Sequence, residues 1–180
     1  MMTPEERTHI IGLLEDSKEK YLSSIEEVNQ AQWDWKPAPE CWSVGETAAH
    51  IVQSEAILFR AIHRAIQSPT NPDWETKTAG KTDLLKSVMP DRSTKATAPG
   101  STQPQGLPKE DAIRRFSQQR SQIVKFAGET QISLNEHTLE HPFPIFSTLN
   151  AYQWLLLIPL HTMRHHQQIA EVKATPGYPR

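Results

Sequence analysis

The stretch TLNAYQWLLLIPLHTMRHHQQIAEVK, Thr148 to Lys173, decides how this chain folds. Within it Trp154, Ile158, His161, His165, Gln168 and Val172 succeed one another at alternating steps of four and three. That is the stripe a bundle helix turns toward its neighbours. The spacing predicts a helix from Ser147 or Thr148 to about Lys173. Two histidines four apart on its core stripe stack one turn above the other and point between helices.

Three further helices are expected upstream. Thr3-Pro4-Glu5-Glu6 reads as a capping box with proline at the first helical position. Ile11, Leu14, Tyr21, Ile25 and Val28 then form a stripe that should end before Trp35-Lys36-Pro37-Ala38-Pro39, where proline removes a donor. Ser43-Val44-Gly45-Glu46 is a second capping box, with Trp42 in the staple position. Ala48, Ile51, Val52, Leu58, Phe59, Ile62 and Ile66 continue it to about Ser68, and Pro69 stops it. A third helix is expected from Pro108 to Ala127, on Ile113, Phe116, Ile123 and Ala127, with Gly128 as its stop.

Between the second and third helices, residues 69–107 are rich in Pro, Ser, Thr and Gly. Thr82 to Val88 should form one or two helical turns, and Arg92 to Gly106 reads as mobile. His137 to Phe146 reads as an extended connection, and no convincing strand pair is evident. The expected fold is therefore all-α: one domain over residues 1–180, a four-helix bundle with a long crossover between helices two and three.

Composition narrows the function classes. There are 19 basic and 21 acidic residues, a net charge of -2. No long block of like charge exists to attract nucleic acid or anionic lipid, so neither a nucleic-acid partner nor a membrane is expected. The single cysteine, Cys41, cannot form an intrachain disulfide. The longest apolar run, Tyr152 to Leu160, falls far short of the roughly 20 residues of a membrane span. The N-terminus lacks the basic start and apolar stretch of a secretory signal, so a cytoplasmic location is expected.

The chemistry rests on histidines. Neutral imidazole is the commonest metal ligand, and bundle cores are frequent metal sites. A zinc-protease helix would carry glutamate after the first histidine, whereas Thr162 follows His161 here. Two imidazoles do not complete a site. By residue reading alone the third ligand is open among His50 and His63 on helix two and His137 and His141 in the last connection. His63, between Arg60 and Arg64, reads as solvated. His50 lies about 100° from Ile51 on the helical wheel, off the main apolar arc. Gln168, one turn beyond His165, is a candidate to orient a ligand or a water. Glu55 is a candidate partner or general base, because an unpaired carboxylate near the apolar arc would be costly. Cys41 and the tryptophans Trp33, Trp35, Trp42 and Trp154 read as packing residues.

Trp42-Ser43-Val44-Gly45-Glu46 followed by His50-Ile51, then His161-Thr162-Met163-Arg164-His165-His166-Gln167-Gln168-Ile169, resembles the DinB-like superfamily of bacterial four-helix proteins. The Trp-Lys-Pro-Ala-Pro approach to helix two matches as well, and the likeness covers nearly the whole chain apart from the middle segment. The resemblance implies a metal set of His50, His161 and His165 holding a divalent ion, with zinc, nickel or iron equally suited. It also implies a metal-dependent enzyme acting on a small-molecule substrate, either a hydrolase or a thiol S-transferase. The transferase would use a low-molecular-weight thiol co-substrate such as bacillithiol or mycothiol. Homodimers are a further implication. The alternative expectation is a non-catalytic bundle whose metal only pins helices two and four.

Overall fold

The computed structural model of this chain describes residues 1–93, 104 and 106–180. Its helices are α1 (Pro4–Ile25), α2 (Gln30–Asp34), α3 (Val44–Gln67), α4 (Trp74–Thr78), α5 (Lys81–Val88), α6 (Lys109–Glu129) and α7 (Ala151–Ala174), with a two-stranded ribbon, β1 (Thr138–Glu140) and β2 (Thr148–Asn150), before the last. The four long helices α1, α3, α6 and α7 make the bundle, as the sequence led one to expect.

Reciprocal capping boxes open four of the helices: Thr3 with Glu6, Asn29 with Gln32, Ser43 with Glu46, and Asn150 with Gln153. In each, the cap side chain accepts from the third backbone N–H and the third residue's side chain accepts from the cap. The second box explains why α1 stops at Ile25 and not near Trp35, since Asn29 restarts the chain as α2. The fourth explains why α7 begins at Ala151, later than the apolar pattern alone implies. Thr148–Asn150 is committed to β2, paired antiparallel with β1 in the register Thr138↔Asn150, Leu139↔Leu149 and Glu140↔Thr148. Three-residue strands are too short to show a two-residue alternation, so this pair is absent from the sequence reading.

Helix α6 runs past Gly128 to Glu129. Gly128 does not adopt the left-handed cap conformation. The Arg7 guanidinium donates instead to the carbonyls of Ala127, Gly128 and Thr130, satisfying the helix end from α1. The expected turns at Thr82–Val88 appear as α5, and α4 precedes them. The expected mobile stretch falls largely on residues 94–103 and 105, which lie outside the described residues.

Helix α7 packs on α3 and α1, and α6 packs on the same two helices. Consecutive long helices α1 and α3 thus occupy opposite corners. Bridging contacts set the directions. Arg7 at the start of α1 meets the end of α6, and Lys109 at the start of α6 donates to Glu26 O and Val28 O after α1. Lys173 at the end of α7 donates to Ser24 O near the end of α1. Helices α1 and α7 therefore point one way, α3 and α6 the other. The chain leaving α3 must return along the whole bundle before entering α6, about 36 Å for a 24-residue helix. That requirement accounts for the long crossover.

The core is continuous along α7, where Ala151 to Pro159 are all buried. Helix α1 contributes Ile10, Leu14, Tyr21 and Ile25, with Ile10 in the place assigned above to Ile11. At mid-height a buried ion pair crosses the bundle. Arg120 on α6 is 0% exposed and Glu55 on α3 is 1% exposed. The guanidinium donates from Nε and Nη2 to Glu55 Oε1, from Nη1 to Leu14 O and Ser17 Oγ, and from Nη2 to Thr162 Oγ1. All of its donors are placed, on acceptors from the three other long helices.

Candidate metal centre

His50, His161 and His165 converge between α3 and α7. Their Nε2 atoms form a nearly equilateral triangle: His50 to His161 3.3 Å, His50 to His165 3.1 Å, and His165 to His161 3.2 Å. His50 is 4% exposed and His165 8% exposed, while His161 is half-buried.

Protons alone cannot satisfy this triangle. Each neutral imidazole nitrogen is a donor or an acceptor, never both. Every close pair needs one of each, and around a ring of three at least one pair must be alike. Adding protons is opposed too. Burial pushes His161 far below the ordinary histidine range, helped by His165 and His50, and burial with the nearby His50 holds His165 down to about 3. Three lone-pair nitrogens facing one point fit a divalent cation.

The spacing agrees. Ligand nitrogens about 2.0–2.1 Å from one ion lie about 3.3–3.4 Å apart at tetrahedral angles and about 2.8–3.0 Å apart at octahedral ones. The observed edges of 3.1, 3.2 and 3.3 Å fall between these values. The triangle therefore suits tetrahedral zinc and six-coordinate nickel or iron alike.

Neighbouring groups orient the imidazoles. His165 Nδ1 donates to Gln168 Oε1 at 2.8 Å, which leaves Nε2 as the lone-pair nitrogen. Gln168, read above as a candidate to orient a ligand or a water, meets His165 in this way. The Ser54 hydroxyl lies 3.4 Å from His50 Nε2. Trp42, read above as a packing residue, stands against the cluster, its ring 4.8 Å from His50 and 6.3 Å from His165.

His50 is buried because the first half of α3 is enclosed nearly all round, with Thr47 and Ser54 buried beside it. A helical wheel measures distance from one apolar arc and misses a helix embedded on two sides. The other candidates lie elsewhere. His63 packs on Phe59 and Phe126, His137 Nδ1 meets Ser68 O at 2.9 Å, and His141 stacks on Trp154. Glu55, a candidate base, is engaged by Arg120 on α6. Arg120 escaped the sequence reading, although its place between Phe116 and Ile123 on the core stripe of α6 was the available signal. Burial pushes the Glu55 carboxyl up, and the guanidinium opposes that push.

Among the described residues, no helix is long and apolar enough to cross a membrane.

Comparison with known proteins agrees with this architecture. The chain is similar to YuaE, an uncharacterized protein of Bacillus subtilis (strain 168), at 26% identity over 154 residues, 83% of this chain and 85% of YuaE. In structure it is similar to YfiT from Bacillus subtilis, described as a probable metal-dependent hydrolase with an unusual four-helix bundle topology. That superposition has a TM-score of 0.58 at 15% identity and covers 99% of this chain and 92% of YfiT. The sequence profile of the DinB superfamily matches residues 13–169, a span that includes all three histidines of the triangle, and the chain belongs to that superfamily.

Proposed function

We propose that this protein is a metal-dependent enzyme that activates a nucleophile at His50, His161 and His165, with hydrolysis of a small-molecule substrate as its first assignment. The observation that carries the reading is the convergence of three, and only three, ligand-type nitrogens among the described residues. Three protein ligands leave coordination positions for reactants, the pattern of catalytic more than structural ions. A divalent ion held there lowers the pKa of a bound water or thiol toward neutrality.

The chain's own residues do the rest. Gln168 holds the His165 tautomer, so its Nε2 is available without a proton having to leave. Ser54 offers a hydroxyl beside His50. Trp42 walls one side of the imidazoles. Hydrolysis ranks first because water needs no recognition beyond the ion, and because YfiT is described in those terms. A thiol S-transferase reaction draws on the same activation, with a low-molecular-weight thiol in place of water. A cytoplasmic location belongs to this reading on sequence grounds, and homodimers on family likeness.

The test begins with metal analysis of protein purified without chelator, with about one ion per chain expected. Turnover of an ester and amide panel is then measured with and without added thiols, after chelation and after restoring zinc, nickel or iron. Turnover that needs no thiol and follows the metal supports hydrolysis; strict dependence on a thiol with an electrophilic acceptor moves the assignment to transfer. Absence of metal, together with unchanged stability in a His161→Ala, His165→Ala variant, overturns the metal reading altogether.

A further inference from the structure

Two edges of the histidine triangle cross from α3 to α7, at 3.3 and 3.1 Å, and the third lies within α7. The turn of α7 fixes the third edge by itself. The other two depend on the gap between two helices, and a binding constellation tolerates only about 0.5 Å of error there. Apolar packing loses uniqueness before it loses stability, so a directional contact is the better ruler.

One such contact spans the gap. Arg120 Nη2 donates both to Glu55 Oε1 on α3 and, at 3.0 Å, to Thr162 Oγ1 on α7. Each acceptor belongs to a residue next to the centre. Glu55 follows Ser54, whose hydroxyl lies 3.4 Å from His50 Nε2, and Thr162 follows His161. The donor is rigid as well. Nε on Glu55 Oε1 at 2.8 Å, and Nη1 on Leu14 O and on Ser17 Oγ at 2.7 Å, fix the plane of the guanidinium. Its carbon lies 4.9 Å from the centre of the Phe116 ring. Thr162 stands where a zinc-protease helix carries its glutamate, and this contact gives the position a task of a different kind.

We infer that Arg120 is a positioning residue for the metal centre: through Glu55 and Thr162 it sets the α3–α7 separation at which His50 meets His161 and His165. The inference rests on the metal reading above. It also separates two arms of the guanidinium that stability alone would treat alike. Ser17 and Thr162 are both buried, both accept from Arg120, and both donate to a carbonyl of their own helix. Ser17 lies on α1, which carries no histidine of the triangle, so only the loss of the Thr162 hydroxyl releases the gap.

The test measures zinc affinity of the full chain, stripped of metal by dialysis, in competition with a chromophoric chelator. The visible spectrum of the cobalt(II) form reports the coordination geometry. Thr162→Val should weaken zinc about tenfold and shift the cobalt bands. Ser17→Ala should stay within about twofold of wild type, with its bands unmoved. Glu55→Leu with Arg120→Met removes the whole fork and should weaken zinc by about 10–100-fold, in protein whose circular dichroism matches wild type. Should that double variant not fold, the comparison of Thr162→Val with Ser17→Ala decides alone. Equal zinc affinities in those two single variants, or a wild-type affinity and spectrum in a folded double variant, would overturn the inference and leave the metal reading standing. A wild-type chain that binds neither ion overturns both.

Discussion

Replacing Glu55 by glutamine keeps the shape of the side chain and removes only its charge. The consequence follows from Arg120. Its guanidinium is 0% exposed, and two of its five donated hydrogen bonds end on Glu55 Oε1. Guanidinium does not give up its proton in a protein, so Glu55→Gln leaves an uncompensated cation in the core. Breaking a buried pair from one side costs about 3–5 kcal/mol. A chain of this length has roughly 9–27 kcal/mol of total stability, so the loss should be plain in urea unfolding followed by far-ultraviolet circular dichroism. Arg120→Met strands a carboxylate instead. The burial that already pushes the Glu55 carboxyl up then acts unopposed, and the acid takes a proton. A raised folded pKa gives stability that is present below the unfolded value and lost as pH rises, so this variant should recover ground on acidification. The double variant Glu55→Leu, Arg120→Met removes both charges. Ser17 Oγ and Thr162 Oγ1 still donate to Leu14 O and Ile158 O within their own helices, so few groups are orphaned. It should lie within about 2 kcal/mol of wild type, a coupling of several kcal/mol. Single losses below about 1 kcal/mol, or losses that add within about 0.5 kcal/mol, would refute the account of this pair as a coupled, desolvated unit.

Removing one ligand, as in His161→Ala, should abolish stoichiometric metal in elemental analysis and erase any rise in melting temperature on adding zinc to wild type. Acidification should destabilise the protein. Burial pushes His141 down to about 4 when folded, against about 6.5 unfolded, so the unfolded chain binds more protons between those values. Stability is full above about 6.5 and declines as pH falls toward 4, which a melting series across that window reads, with His141→Phe flattening the slope. Gly45→Ala should cost about 1–3 kcal/mol, because a Cβ there would lie 2.4 Å from Trp33 Nε1 and 2.8 Å from Trp33 Cε2 of a buried, rigid indole. Calorimetry checks that, and an unchanged melting temperature would mean the Trp33 ring moves freely.

What the sequence disclosed and what it concealed have physical reasons. The long helices were legible because caps and apolar stripes are local signals, and Ser43 and Thr3 begin helices where their boxes said they would. His161 and His165 were legible because they share one stripe on one helix. His50 became a candidate ligand only through family likeness, since its burial depends on α3 being enclosed from two directions, a fact of assembly. The same holds for Trp42, whose contact with the imidazoles joins the approach to α3 with the middle of α7. Glu55 was visible as a charge near an apolar arc, whereas Arg120 escaped the reading although it sits on the core stripe of α6. That they cancel one another required knowing that α3 and α6 are neighbours. The β1–β2 pair and the cap at Asn150 were concealed by brevity, three residues and one side chain.

The triangle of imidazoles also has a consequence for the chain as a polymer. His50 and His161 are separated by 111 positions, an interval that contains the crossover, α6 and the ribbon. An ion held between them closes that interval into a ring. Folding has already met the entropic cost of closing that interval, so the ion adds its binding free energy to the folded state alone. Because the closure cost grows only with the logarithm of ring length, insertions in residues 69–107 should scarcely alter the balance. The crossover can lengthen while the clasp that spans it keeps its strength.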